Sequence, residues 1–180
     1  VPSEYKGGRV ATEHLVANGH TKIAHITDSN NTVASPERLR GFKDVLTENK
    51  IAINDSYILK MPGSNSHEGY VMTQKLLALK DRPTAIFAYN DRMAFGAYEA
   101  IQEIGLEVGK DISVIGFDNQ PYFADALRPG LTTVQLPHYE MGAWAAQRML
   151  DQLKNSESNK PMQDQIDCAL VVRNSVGPAL

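Results

Sequence analysis

Three short apolar runs each end in side chains built for hydrogen bonding. Lys22-Ile23-Ala24-His25-Ile26-Thr27 leads into Asp28-Ser29-Asn30-Asn31, and Thr84-Ala85-Ile86-Phe87-Ala88-Tyr89 leads into Asn90-Asp91. The third, Ile112-Ser113-Val114-Ile115-Gly116-Phe117, leads into Asp118-Asn119. Arg38 stands in the first turn of the helix expected after the first run. A carboxylate accepts from two adjacent hydroxyls, a carboxamide donates and accepts, and a guanidinium donates in a planar fork. Together they suit a polyhydroxylated ligand. Plainer uses compete with this reading. Asn90 or Asp91 would equally cap a following helix, and Arg38 would pair with Glu37 or Asp44 on a solvated face. Asp118 has the weaker structural excuse, because Pro121 soon after it predicts a turn.

Signals for bond-making chemistry are missing. Gly63-Ser64-Asn65-Ser66 lacks the second glycine of a nucleophile elbow. There is no glycine-rich phosphate loop with a lysine and no Gly-x-Gly-x-x-Gly. His14, His20, His25, His67 and His138 show no metal-ligand spacing with carboxylates or with Cys168, and each reads as a surface or capping residue. A single cysteine excludes an internal disulfide framework. No catalytic residue, cofactor or metal is expected.

The elements that must position the polar ends follow from pattern. All three runs read as short strands, and Thr84 to Tyr89 is continuous and apolar, as a strand covered on both faces should be. Ser56 to Met61 is a fourth candidate strand, Thr132 to Val134 looks extended, and Ala169 to Val172 closes the set. Between them lie helical stripes. Ser35 as N-cap and Pro36 at the first helical position open one with Leu39, Phe42 and Leu46 on a single face. Another runs from about Ser66 and carries Val71, Met72, Leu76, Leu77 and Leu79. A third places Met93, Ala97, Ala100, Ile101 and Ile104 together and stops at Gly105. A first helix is expected from Arg9 to Asn18 and a last one from His138 to Lys154, with a polar loop from Asn155 to Lys160. Alternation of this kind predicts an α/β fold with a doubly wound parallel sheet. In such sheets ligands bind outside the carboxyl ends of the strands, where the polar groups converge.

With 180 residues and 42% hydrophobic content the chain can build a core, and 22% charged residues argue against global disorder. No apolar run reaches the roughly twenty residues of a membrane span. A net charge of −3 argues against this chain by itself holding a nucleic-acid backbone, which needs a basic face. The opening Val1-Pro2-Ser3 shows neither methionine nor a secretion leader, so a piece of a longer cytoplasmic protein is expected. A leading helix, and a trailing one bearing Met141, Trp144 and Met149, look like parts of a two-lobed molecule.

Taken in order, several stretches resemble the effector-binding region of the LacI/GalR transcriptional regulators. They are Gly7-Gly8 with Ala11 to Leu15, Asn18-Gly19-His20, Glu37-Arg38 with Gly41-Phe42, and Asn90 to Ala97. Asp111 to Asp118, Leu131 to Val134 and Tyr139 to Gly142 complete the set. The resemblance implies a periplasmic-binding-protein-like (type I) core, of which this chain is mainly the second lobe. Residues 1–133 would form that lobe, 134–164 would return to a truncated first lobe, and 165–180 would come back as closing strand and tail. A helix-turn-helix absent from this sequence would contact operator DNA. The resemblance further implies a small sugar-like effector held by Arg38, Asn90 and Asp118, with Asp28 and Ser64 beside them. Ser64 falls near a position where some members stack an aromatic on the ligand, and Leu136 stands where many carry glutamine. A homodimer is implied, with Met93, Phe123 and Leu127 at its interface. A periplasmic sugar-binding protein of a transporter would share the fold and is the rival reading.

Overall fold

The computed structural model describes residues 1–30, 33–154 and 163–179; the expected loop from Asn155 to Lys160 and the rim residue Asn31 lie outside them. The elements alternate as the pattern predicts: α1 (Glu4–Ala17), β1 (Ile23–Asp28), α2 (Ala34–Glu48), β2 (Ile58–Met61), α3 (Ser66–Leu77) and β3 (Ala85–Ala88). After these come α4 (Asp91–Glu103), β4 (Ser113–Asp118), β5 (Thr132–Gln135), α5 (His138–Lys154) and β6 (Leu170–Val171). The sheet order is β2-β1-β3-β4-β5-β6, parallel throughout except for the antiparallel last strand. The chain steps outward from β1 to β2 and then crosses back to β3. The topological switch therefore falls between the ends of β1 and β3, at Asp28 and Asn90.

Helices α1 and α2 pack together on one face and α3 and α4 on the other. One core joins Leu15, Phe42, Phe87 and Phe117, and the second joins Ile26, Met72, Ile86, Met93 and Ile101. Each helix pair crosses at glycines. A side chain on Gly8 would strike the Arg38 carbonyl, and one on Gly41 would strike that of Tyr5. Gly69 and Gly96 meet the backbone of Met93 and Ser66 in the same way. The same close approach sets where the first helix begins. Gly7-Gly8 reads as a preamble to a helix from Arg9, yet α1 begins at Glu4 because close backbone approach outweighs poor propensity.

Other expectations are corrected. Val33, not Ser35, occupies the N-cap of α2; Ser35 lies inside the helix and donates its hydroxyl to the Asp28 carbonyl at 2.6 Å. The residues Asp55–Tyr57 form a single 3₁₀ turn, so β2 starts only at Ile58. Two histidines are interior rather than surface groups. His20 bonds Thr84, Ser113 and the Gly177 carbonyl, and His25 stacks among Phe42 and Phe87.

The implied interface residues also sit differently. Met93 is 0% exposed and Leu127 only 9%, both within the α3–α4 core. The turn after β4 curls back, with the Leu131 N–H on the Ala124 carbonyl, and this drives Leu127 inward. Phe123 is half-buried, edge-on to Phe95, while Tyr122 stands 91% exposed. Leu127→Asp is accordingly expected to bury an unpaired charge and lower stability by several kcal/mol instead of cleanly splitting a dimer. A thermal melt checks this, and an unchanged midpoint would refute the inward placement.

Candidate functional site

Arg38 anchors the polar rim. Helix α2 carries it inward on the face it shares with Phe42 and Val45, leaving it 3% exposed. Its guanidinium lies 3.5 Å from the Phe117 ring centre and 4.5 Å from that of Tyr89, a flat slot that suits its planar fork. Nε donates to Glu4 Oε2 at 2.7 Å, and Nη1 donates to the Tyr89 carbonyl. Nη2 stands 3.8 Å from Asp118 Oδ1, too far for a direct hydrogen bond. Of the five N–H donors an arginine carries, only two are engaged by these short contacts. Arg38 and Asp118 thus form an ion pair that no direct hydrogen bond closes.

A connected network holds the remaining candidates. Asp28 Oδ1 accepts from the N–H groups of Asn30 at 2.8 Å and Gly63 at 3.0 Å. The Ser64 carbonyl next to Gly63 accepts from Asn90 Nδ2 at 2.9 Å, so the loop after β2 straps the ends of β1 and β3 together. Asn90 does cap α4, its Oδ1 accepting from the Met93 N–H at 2.9 Å. Asp118, on the left-handed side of backbone space at φ 103°, accepts from Gln120 Nε2 at 3.1 Å. The structure brings Arg38, Asp28, Asn90, Asp118 and Ser64 to one rim. It also shows that Asp28 and Asn90 spend part of their bonding capacity on the rim itself.

Burial raises the Asp118 carboxyl above the usual carboxylate range, with the nearby Arg38 charge opposing it. The Asp91 carboxyl is pushed up to about 7, again chiefly by burial. His25, enclosed against Phe87 and facing the charges of Arg38 and Lys60, is lowered to about 4 and stays neutral. A cavity of about 590 Å³ lies beside the rim, between α2 and the edge strand, and shares Asp28 and Ser29 with it. It does not contain the Arg38–Asp118 pair. Among the described residues no group of three His, Cys, Asp or Glu is placed to hold a metal.

Two contributors escape a reading of the sequence alone. Glu4 is 34 residues from Arg38 and no motif marks it. Asp91 reads as a possible cap, yet Asn90 fills that role, and Asp91 instead accepts from Thr133 and from the loop after β4.

The doubly wound sheet, with polar strand ends at its switch point, defines a lobe of periplasmic-binding-protein-like fold. The family model described as a periplasmic binding protein-like domain matches residues 12–176. The HTH-type transcriptional repressor PurR of Vibrio vulnificus is 37% identical over 177 residues, covering 98% of this chain and 52% of that protein. The ribose operon repressor of Haemophilus influenzae is 40% identical over 157 residues, covering 85% and 46%. A LacI-family regulator from Enterococcus faecium with bound ribose superposes with a TM-score of 0.86 at 29% identity, covering 99% of this chain and 65% of that one. The chain belongs to the LacI/GalR family, as part of its effector-binding region. It spans about half the length of the curated relatives it matches.

Proposed function

We propose that this chain is the ligand-sensing part of a DNA-binding regulator, and that its ligand is a neutral polyhydroxylated molecule. The observation that carries the reading is the Arg38–Asp118 ion pair, spaced at 3.8 Å on the rim beside the switch point and closed by no direct hydrogen bond. Charge favours a neutral ligand. Glu4 already occupies one edge of Arg38, and Asp28 and Asp118 add negative charge, so an anion would meet net repulsion. The ribose-bound regulator, and the CelR–cellobiose complex with its TM-score of 0.87 at 28% identity, are consistent with a sugar.

Ligand binding would be coupled to lobe movement through the crossing segments. The Ser3 N–H donates to the Ile166 carbonyl at 2.9 Å, and the Gln135 N–H to the Ala169 carbonyl at 2.7 Å, so three passes of the chain run side by side. Glu4 follows the first pass and holds Arg38 directly. A ligand that engages Arg38 therefore pulls on the crossing point. Useful switching needs about 1–3 kcal/mol of differential binding. In this reading the division near residue 133 falls inside β5, and residues 134–164 and 165–180 return to and from a further lobe. The parent would be a cytoplasmic homodimer, with operator DNA held by an N-terminal helix-turn-helix outside this sequence. The named relatives are repressors, which favours this role over a transporter's binding protein. No helix among the described residues is long and apolar enough to cross a membrane.

The test is a thermal-shift screen of the full-length parent with D-ribose, cellobiose, their phosphates and nucleobases. A ligand at a hundred times its Kd adds about 2.7 kcal/mol of stability. Asp118→Asn keeps a residue that tolerates the left-handed backbone but removes the charge, and is expected to raise Kd tenfold or more. An undiminished response in Asp118→Asn would overturn the site.

A further inference from the structure

Asp91 is a buried carboxyl in the interior of the lobe. It is 0% exposed, at the first turn of α4, with the Gly116 backbone against its Oδ1. Thr133 Oγ1 donates to Oδ1 at 2.6 Å, and the Gln120 backbone N–H donates to Oδ2 at 2.6 Å. Gln120 belongs to the turn in which Asp118, Asn119 and Tyr122 all hold positive φ values, of 103°, 50° and 72°. Three such non-glycine residues close together store strain that an outside grip must offset. The Gln120 side chain then donates to Asp118 Oδ2 and accepts from Arg92 Nε at 3.2 Å. One bond from Asp91 therefore fixes the residue that aims Asp118.

We propose that Asp91 is a positioning residue, whose buried carboxylate grips the Gln120 backbone and so holds Asp118 opposite Arg38. The functional part rests on the ligand-sensing reading above; the grip itself does not. An ionised acceptor bonds an N–H about twice as strongly as a neutral one, so protonation loosens the turn. The charged groups around Asp91 are Asp118 on β4, which raises its affinity for a proton, and Arg173 after β6, which lowers it; Tyr98 on α4 also lies close. The carboxyl titrates at about 7 when folded against an ordinary value of 3.8. Because the folded value is the higher, the folded state binds the proton more tightly. Stability from this group is greatest at low pH, declines from about pH 4 to 7, and is flat above. The fold keeps an ion at a cost in stability, and the held turn is the return.

The experiment follows the Gln120 amide by nuclear magnetic resonance in the 180-residue chain between pH 5 and 9, without ligand. The expected result is a titration with a midpoint near 7 and a roughly tenfold loss of hydrogen-exchange protection below it. In Asp91→Asn the titration disappears, while the melting temperature at pH 8 rises above the unsubstituted chain. Thr133→Val, which removes one donor and disturbs the fold less, moves the midpoint upward. A Gln120 amide that does not titrate, or one that titrates identically in Asp91→Asn, overturns the proposal. Failure of the ligand-sensing reading would show separately, as a spectrum of the full-length parent unmoved by D-ribose or cellobiose while the Gln120 titration persists.

Discussion

Arg38→Ala is expected to cost about 3–5 kcal/mol of folding stability, far more than loss of a ligand contact requires. The guanidinium is 3% exposed and its partner Glu4 only 14%. Truncation leaves the Glu4 carboxylate with no counter-charge in a largely dry place and the Tyr89 carbonyl without its donor. It also empties the slot between Phe117 and Tyr89. The neighbouring Arg40–Glu37 pair gives the contrast, because both partners are about half exposed and Arg40→Ala should cost at most about 1 kcal/mol. Urea denaturation of the two variants measures the difference. If Glu4→Gln is added to Arg38→Ala, part of the loss should return, since no bare charge then remains buried. Equal costs for Arg38 and Arg40 would mean that the inner pair is solvated.

Gly96→Ala should be nearly as damaging, by about 2–4 kcal/mol, although alanine is the better helix former. The added methyl would run into the Ser66 carbonyl and the Tyr70 backbone, so α3 and α4 must separate or unwind locally. Backbone cannot rotate aside as a side chain can, and the separation would loosen every contact along the helix pair. Gly142 in α5 has nothing within 4 Å of the same methyl. There the propensity term stands alone, and Gly142→Ala should gain about 0.5–1 kcal/mol. Calorimetry of both variants decides the sign. A harmless Gly96→Ala would show that the helices do not touch there.

The strands and most helices were legible because burial on both faces writes a continuous apolar run, and a one-sided helix writes a stripe. The rim was legible for a related reason, since a polar residue at the end of such a run must lie at the sheet edge. Asn90 and Asp118 stand out on that ground, and Arg38 through its place early in the helix that follows the first run. Glu4 was not, because its contact with Arg38 depends on how closely α1 and α2 approach, and glycines that permit approach resemble glycines that break helices. The inward side chain of Leu127 is not legible in the sequence for a different reason. A turn of mixed residues has no period, so its inward and outward positions emerge only when the chain curls back on Ala124 and Leu131. Ser35 shows the limit of local rules, because its hydroxyl found a better acceptor in the Asp28 carbonyl than in its own helix.

The tail after β6 is laced into the opposite end of the sheet from the rim. Ser175 Oγ donates to the Val114 carbonyl at 2.6 Å and accepts from the Thr132 N–H at 2.8 Å. The Gly177 N–H reaches Ser113, and the Ala179 N–H donates to the Asn18 carbonyl at 2.9 Å. Early residues such as His20 therefore wait for partners made 157 positions later. During synthesis at about 5–20 residues per second, the first helix and strand spend roughly 8–30 s with that end of the sheet unfinished. The lobe cannot close one unit at a time behind the ribosome. The bonds that close this end of β4 and β5 form only once residues 175–179 emerge.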